Sequence, residues 1–425
     1  MAAPLAAGRQ LALLAVWGVS RLLLMLFVLR VLVFPGPDVT PDVSVIYHGW
    51  YEVLRSGTFP VDDVTWQYPP GAALAILSPA LLPWLEYPTA FFVLSLVADA
   101  VVLALLLRAG RGRRARATGS GARSLRGAWV WAVGVPLLGP TVYARYDLMV
   151  TAVAVAALVA GVGRPRVFGA LTAFGAMLKG WPVLLLLGAG PGRDWRRSWG
   201  AAAVTGAVLL AASVAAAPGS LDFLTAQRDR GTEVESVGGL VFQVGHHFGW
   251  SGGVWFHYGS MEFFGPGVAG VATASKVLSV LVLAWLVLWR LRARHWSPGT
   301  AADAAFTAVL LSTVTSRVIS PQYLVWLVGL AAVCLVFADS WMGRPAWLVV
   351  AASLVTVVEF PVLFTDVVTS TPTGVALLLV RNGLLVWAAA AAAARLWRRT
   401  VTGQAEAVPA GEPASLRQEP LVDSP

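Results

Sequence analysis

Long apolar segments alternate with short polar segments along most of the chain. Segments of about 20 apolar residues are long enough to cross a bilayer as helices. They fall at Leu11 to Phe34 and at about 88–108, 127–142, 147–162, 199–217, 267–290, 300–316, 321–338, 346–365 and 374–395. The pattern predicts an all-α polytopic membrane protein.

Two further apolar segments are interrupted by helix breakers. Pro79 and Pro83 lie within 69–85, which we interpret as a re-entrant or interfacial helix. The segment 167–191 is too short for two full spans and contains "KGWP". Gly and Pro there predict two short helices that meet at Lys179. Counting these two short helices with the ten spans, we expect about twelve membrane helices.

The arginines predict the orientation of these helices. Positively charged loops stay in the cytoplasm, so we expect every basic cluster to face inward, together with both termini. The clusters are "RAGRGRRARATGSGARSLRG" (108–127), "GRPR" (163–166), "GRDWRRS" (192–198), "RLRARH" (290–295) and "RLWRRT" (395–400). This places the protein in the plasma membrane with two long outer loops, about 35–87 and 218–266.

Composition agrees with a membrane protein and separates a membrane domain from a polar tail. Of the residues, 57% are hydrophobic and 12% charged, whereas soluble domains carry about 25% charged residues. The net charge of +9 does not indicate a nucleic-acid partner, because the arginines lie in short clusters between spans. We expect one membrane domain over 1–402 and a disordered cytoplasmic tail over 403–425, rich in Ala, Pro, Glu and Gly.

The first outer loop supplies the candidate general bases. A base must be a carboxylate or histidine held at the reacting hydroxyl. Asp42 follows the first span closely, where the headgroup of a lipid substrate would lie. Asp62 and Asp63 lie further from the membrane and could instead cap a helix or bind a cation.

Candidate anion-binding groups lie at the outer ends of the spans. The chain has two lysines, and we expect Lys179, at the helix break, to bind a phosphate. We interpret Lys276 as a snorkelling or ion-paired residue. Arg145 in "YARYDLM" is a second candidate, although an ion pair between Arg145 and Asp147 that stabilises the turn is equally possible.

The turn "SRVISPQYLVWL" offers a third group of candidates. Arg317, Gln322 and Tyr323 could bind a phosphate and a sugar. Alternatively, Pro321 and Tyr323 start a helix and anchor it at the interface.

The second outer loop gives weaker signals. "QRDRGTEVESV" (227–237) alternates in charge and predicts a solvated amphipathic helix face. His246 and His247 could bind a metal, but no further ligands are suitably spaced for a closed site. We predict no cofactor, leave a divalent cation open, and find no phosphate-loop, dinucleotide, zinc-protease or serine-hydrolase motif.

The order of these motifs resembles a known enzyme class. One span precedes a loop with an early Asp and "G-x-F-P…W-Q-Y-P-P-G-A", followed by "R-Y-D-L", "M-L-K-G-W-P" and "S-P-Q-Y-L-V-W". Over about residues 10–395 the chain resembles GT-C glycosyltransferases that use polyprenyl-phosphate sugars. It is similar in particular to glycosyltransferase family 87, which contains actinobacterial mannosyltransferases acting on lipid-linked glycans.

The resemblance implies a site and a reaction. Asp42 matches the catalytic Asp, and Lys179 matches a lysine near the lipid phosphate. The expected activity is inverting transfer of a hexose, mannose in the family's case, from a polyprenyl-phosphate donor to a lipid-linked or glycan acceptor outside the membrane. The expected sugar or acceptor contacts are Tyr47, His48, Tyr68, Asp147, Gln322 and Tyr323. A transporter or lipid flippase is the alternative, although we find no hydropathy repeat between the two halves.

Overall fold

The computed structural model describes residues 2–111, 123–225, 230–338 and 340–404. The predicted tail from residue 405 onward lies outside these residues, as does most of the basic cluster 108–127. The described chain is mostly helical. Its helices are α1 (Ala2–Val28), α2 (His48–Arg55), α3 (Ala72–Leu77), α4 (Tyr87–Gly110), α5 (Arg126–Gly134), α6 (Asp147–Ala160), α7 (Pro165–Leu178), α8 (Arg193–Ala216), α9 (Leu240–His246), α10 (Val268–Arg292), α11 (Thr300–Thr315), α12 (Tyr323–Cys334), α13 (Gly343–Val357), α14 (Phe364–Val368) and α15 (Pro372–Thr400).

Six of the described helical segments are long and apolar enough to cross a membrane. They are Gly8–Val28, Tyr87–Gly110, Arg193–Ala216, Val268–Arg292, Gly343–Val362 and Pro372–Thr400. Five more apolar segments are shorter: Ala72–Leu81, Asp147–Ala160, Pro165–Leu178, Thr300–Thr315 and Tyr323–Cys334. The predicted membrane protein is therefore supported, whereas the count of about twelve membrane helices and the re-entrant helix at 69–85 stay predictions.

The helix α12 forms the centre of the molecule. It is apolar on all sides, its residues from Leu324 to Cys334 are buried, and it packs against α4, α5, α6, α11 and α13. Glycines allow these close approaches. A Cβ atom at Gly329 would overlap Thr151 of α6, and one at Gly127 of α5 would overlap the carbonyl of Ala332. Small residues at such crossings are typical of helices packed in membranes.

Two of the long helices instead expose their apolar surface. Few residues of α8 and α10 are buried, and valines such as Val204, at 65% exposure, project outward. An exposed apolar helix face of this length suits contact with lipid. Lys276 lies on the exposed side of α10, and its interpretation as a snorkelling or ion-paired residue stays a prediction.

Helix breaks fall where prolines and glycines interrupt the apolar pattern. The helix α7 ends at Leu178, Lys179 is extended, and a short 3-10 helix occupies Trp181–Gly188. The segment predicted as a span at 127–142 is also divided. It consists of α5 and a 3-10 turn at Pro136–Val142, because Pro136 and Pro140 cannot continue the α-helical hydrogen bonds.

The second long loop contains the one sheet found among the described residues. Its strands are β1 (Thr232–Glu233), β2 (Gly253–His257) and β3 (Ser260–Phe264), in the antiparallel order β1-β3-β2. Strand β1 also forms a backbone hydrogen bond outside the sheet, in which Glu233 N donates to Arg317 O at 3.0 Å. The sheet is thereby attached to the turn that precedes α12.

The loops separate into two groups at opposite ends of the helical body. The two long loops and the turns at 145, 179 and 320 meet around one cavity, at the end that we call the loop end. A second cavity of about 320 Å³ lies at the opposite end, lined by residues of the basic clusters 163–166 and 192–198 and by Trp296 and Ser297, which directly follow the cluster 290–295. The grouping matches the arginine-based topology, whose orientation in a cell stays a prediction.

Candidate active site

A cavity of about 430 Å³ lies at the loop end. We call it the loop cavity, because residues of both long loops line it. The first loop contributes Asp42, Ile46, Tyr47, Trp50, Thr65, Gln67, Tyr68 and Pro69. The second contributes Arg230, Glu233, Glu235, Phe256, Tyr258, Gly259, Ser260 and Met261. The helix ends and turns contribute Arg145, Lys179, Gly180, Trp181, Ser320, Pro321, Gln322, Tyr323, Trp326, Phe360 and Phe364.

Asp42 and Arg145 form an ion pair in the cavity wall. Asp42 begins a short helical turn, Asp42–Tyr47, and its Oδ2 contacts the Nη2 of Arg145, just before α6. The Asp42 side chain is 31% exposed and that of Arg145 13% exposed. The carboxylate is therefore held in a defined position yet remains accessible from the cavity, as a base requires.

Lys179 lies in a cage of aromatic rings and one carboxylate. Its Nζ donates to Asp147 Oδ1 at 2.7 Å, and the same oxygen accepts from Trp326 Nε1 at 2.7 Å. The rings of Tyr68, Tyr146, Tyr323 and Trp326 lie 5.0–5.7 Å from the ammonium. An ammonium has three donors, so this cation keeps hydrogen-bonding capacity toward the cavity.

The motif "YPPGA" brings Tyr68 to this lysine. Gly71 lies against α7, where a Cβ atom would meet the carbonyl oxygen of Met177 at 2.6 Å. Only glycine permits the first loop to approach α7 this closely. The contact sets Tyr68 beside the end of the helix that carries Lys179.

Stacked aromatic rings form another wall. Tyr323 stacks on Trp326 with ring centroids 4.0 Å apart, and Trp326 stacks on Trp181 at 5.2 Å. Gln322 lies beside them and also lines the cavity. Flat aromatic surfaces next to polar groups suit the apolar faces and hydroxyls of a sugar.

The second loop contributes charged groups that the sequence pattern did not assign to the site. Arg230 donates to Gln67 Oε1 at 3.0 Å and to Glu262 Oε1 at 3.2 Å, which joins the two long loops. Glu233 accepts from Ile319 N at 2.6 Å and Ser320 Oγ at 3.1 Å. Burial raises the pKa of Glu233, although Arg230 and these hydrogen bonds oppose the rise.

The prediction of a solvated amphipathic helix at 227–237 is therefore wrong for the described residues from 230 onward. Residues 232–236 are all buried, and Thr232–Glu233 form a strand. Alternating charge normally indicates an exposed face. Here both sides of the segment are covered, one by the sheet and the other by α15, which is distant in sequence.

Three predicted site residues do not line the loop cavity. His48 follows Tyr47 by one residue, and a helix turns about 100° per residue, so it projects away and stacks on Tyr87 at 4.9 Å. Arg317 donates to the carbonyl of Arg230 and so supports the second loop.

Asp147 is buried beneath the cavity, where it holds Lys179. It pairs with Lys179, and Arg145 pairs with Asp42, so the alternative Arg145–Asp147 ion pair is not formed.

Asp63, the alternative base, has a structural role. It accepts from Trp50 Nε1 at 2.7 Å and from Thr65 N and Oγ1 at 2.8 and 2.6 Å. Burial alone would raise its pKa, but the hydrogen bonds from Thr65 and Trp50 outweigh burial and lower the pKa. These hydrogen bonds engage both oxygens of Asp63, and neither Asp62 nor Asp63 lines the loop cavity.

Within 2–111, 123–225, 230–338 and 340–404, no group of three or more His, Cys, Asp or Glu side chains is placed to hold a metal ion. The rings of His246 and His247 are nearly perpendicular, with centroids 6.3 Å apart.

Comparison with known proteins identifies one matching family. The model of glycosyltransferase family 87 matches residues 66–321, more than half of the 425 residues. The match begins at the "WQYPPGA" motif and ends at the turn before α12. No curated protein and no solved structure matches the chain.

Proposed function

We propose a donor and a reaction course for this chain, which belongs to glycosyltransferase family 87 and is a membrane glycosyltransferase. The donor would be a polyprenyl-phosphate hexose, with mannose as the transferred sugar. The acceptor would be a lipid-linked or glycan hydroxyl. The loop cavity would be the active site, opening on the outer face of the plasma membrane, with both termini in the cytoplasm.

One observation carries this proposal: the loop cavity holds the accessible carboxylate of Asp42 together with the cations of Arg145 and Lys179. Asp42, Arg145 and Lys179 come from the first loop, the turn before α6 and the end of α7, and all three line the cavity. Transfer from a lipid phosphate needs a base for the acceptor and positive charge for the departing phosphate. The donor already carries its phosphate leaving group, so no nucleotide is required.

The reaction would proceed in one displacement with inversion. Asp42 accepts the proton of the acceptor hydroxyl while that oxygen bonds to the anomeric carbon. The bond from the anomeric carbon to the phosphate oxygen breaks, and its electron pair leaves with the polyprenyl phosphate. Lys179 and Arg145 stabilise the charge that develops there. A guanidinium has five donors, so Arg145 can contact a phosphate while it also holds Asp42.

A transporter or lipid flippase was the competing function. Family membership favours glycosyl transfer over transport at the level of the whole protein. The geometry adds support at the level of residues, because the base candidate and the aromatic walls Tyr323, Trp326 and Trp181 surround the same space. A sugar bound there could stack on the rings while its anomeric carbon faces Asp42.

The proposal is tested by Asp42→Asn, which keeps the size of the side chain but removes its basicity. Transfer of labelled hexose from polyprenyl phosphate should fall by at least ~10²-fold, the usual scale for lost general-base assistance. Donor binding should persist, since the substitution leaves both cations in place. Asp62→Asn is the matched control, because Asp62 is exposed and lies outside the cavity. Near-normal transfer by the Asp42→Asn protein would show that Asp42 is not the base.

A further inference from the structure

A buried carboxylate in the wall of the loop cavity has an oxygen without a hydrogen-bond partner. Glu235 lines the cavity and is 4% exposed. Its Oε1 accepts no hydrogen bond, and the nearest cationic atom, Arg381 Nη2, is 3.9 Å away. Leaving a buried carboxylate oxygen unsatisfied is unfavourable, so the arrangement calls for an explanation.

The backbone of Glu235 is held rigidly by α15. Its carbonyl oxygen accepts from Arg381 Nη2 at 2.7 Å and from Asn382 Nδ2 at 3.2 Å. Both partners are buried polar residues within the apolar stretch of α15. The side chain is thus fixed at the cavity wall without using its own oxygens for the purpose.

The charge of Arg381 is already balanced by another residue. Glu359 faces the guanidinium with Oε2 3.0 Å from Nε and Oε1 3.2 Å from Nη2. Glu233, two residues before Glu235, uses its oxygens to hold the turn at Ser320. Among these three acids, Glu235 has the longest contact with a cation, and its carboxyl also lies within hydrogen-bonding reach of the Glu359 carboxyl.

We propose that Glu235 binds pyranose hydroxyls in the loop cavity and so determines which sugar is accepted. This inference rests on the proposed function. A phosphate would be repelled by the surrounding acids Glu233 and Glu359, so the lipid phosphate belongs with Arg145 and Lys179. A hydroxyl is neutral and can donate a hydrogen bond to the Glu235 carboxyl. It can belong to the donor hexose or to a sugar of the acceptor.

The electrostatic surroundings of Glu235 suit this role. Burial, followed by the neighbouring carboxylates of Glu359 and Glu233, raises the pKa of Glu235. A raised pKa favours the protonated form, and a protonated carboxyl can donate a hydrogen bond as well as accept one. Sugar hydroxyls do both, so the two groups are complementary.

The test compares two ligands and two variants. Wild-type protein, Glu235→Ala and Glu235→Gln are assayed for binding of polyprenyl phosphate with and without its hexose, and for the acceptor KM. We expect Glu235→Ala to reduce the preference for the sugar-bearing lipid, or to raise the acceptor KM, by about tenfold. Glu235→Gln keeps the size and part of the hydrogen bonding, so it should lose less, and it serves as the test if the Ala variant fails to fold.

Lys179→Met is the matched control for the ratio between the affinities for polyprenyl phosphate with and without its hexose. It removes a cation assigned to the phosphate, so both lipids should bind more weakly while their ratio stays unchanged. A change in the ratio with Glu235→Ala identifies the donor hexose as the ligand, and a change in acceptor KM alone identifies the acceptor.

Different results would overturn the role of Glu235 and the proposed glycosyltransferase function. If wild-type protein transfers hexose but neither Glu235 variant alters the ratio or the acceptor KM, the role of Glu235 is overturned. If wild-type protein neither binds a polyprenyl phosphate nor transfers its sugar, the proposed function itself is overturned.

Discussion

At the scale of single residues, Lys179 is held by contacts that also limit how it can be replaced. Its ammonium pairs with Asp147 beneath the cavity and lies within four aromatic rings. Cation–π contacts and the buried carboxylate together fix the charge in one place. Removing the charge also leaves Asp147 buried without its partner.

Lys179→Met should weaken donor binding and slow transfer together. A hydrogen bond to a charged group contributes about 1.5–3 kcal/mol, which corresponds to roughly a ten- to hundredfold loss. Binding of sugar-free polyprenyl phosphate measures the effect without an identified acceptor. Adding Asp147→Asn to the variant removes the unpaired carboxylate and separates loss of the cation from loss of stability.

Two comparisons make the Lys179 prediction specific. Lys179→Arg should recover part of the binding, because it restores a positive charge although the shape differs. Lys276→Met should change little, since Lys276 lies on the exposed side of α10. Equal binding of polyprenyl phosphate by wild-type and Lys179→Met protein would remove Lys179 from the phosphate site.

Sequence patterns identified the site residues that follow helix breaks and missed those whose burial depends on distant helices. Asp42, Arg145, Lys179 and Tyr323 lie beside helix ends, and all four line the cavity. The segment containing Glu233 and Glu235 was predicted to be a solvated helix face, because its charges alternate in sign. Its burial by α15, about 146 residues later in the chain, leaves no local signal.

At the scale of secondary-structure elements, a buried ion pair attaches α1 to the helical body. Arg21 Nε lies 2.9 Å from Asp99 Oδ2 of α4. The indole nitrogens of Trp17 and Trp131 each donate to Asp99 Oδ1 at 2.8 Å. Most of α1 is otherwise exposed along its apolar surface, so this polar cluster specifies where the helix docks.

Asp99→Leu should destabilise the protein strongly. Removing one partner of a buried pair leaves an uncompensated charge and costs about 3–5 kcal/mol. The midpoint of thermal unfolding in detergent should therefore fall. The double variant Arg21→Met with Asp99→Leu should recover a large part of the loss, because no buried charge remains. A double variant no more stable than Asp99→Leu alone would mean that the ion pair is not the cause.

The sequence predicted the positions of the apolar helices better than their lengths. The apolar segments lie where hydropathy placed them, but five apolar helical segments are shorter than a typical span. Hydropathy averages over a window and does not register where backbone hydrogen bonding stops. The two prolines that divide 127–142 act through that bonding, which only the structure displays.

At the scale of the whole molecule, the two ends differ in their residues and should differ in accessibility. Arg196 and Arg294 lie exposed near the second cavity, whereas Asp62 and His247 lie exposed on the long loops. In a Cys334→Ala background, cysteines at 62 and 247 should react with an impermeant maleimide in intact cells. Cysteines at 196 and 294 should react only after permeabilisation. The reverse pattern would place the loop cavity on the cytoplasmic side.

The short central helices have a consequence for how a lipid reaches the cavity. Helices α6, α7 and α12 contain 14, 14 and 12 residues, which at about 1.5 Å per residue makes them roughly 18–21 Å long. The hydrocarbon layer is about 30 Å thick. All three helices have an end at the loop cavity; with their other ends at the inner surface of the bilayer, the ends at the cavity stop short of the outer surface. The floor of the cavity would then lie below the level of the lipid headgroups. A polyprenyl chain could keep its tail among the lipids and enter sideways, without being lifted into water.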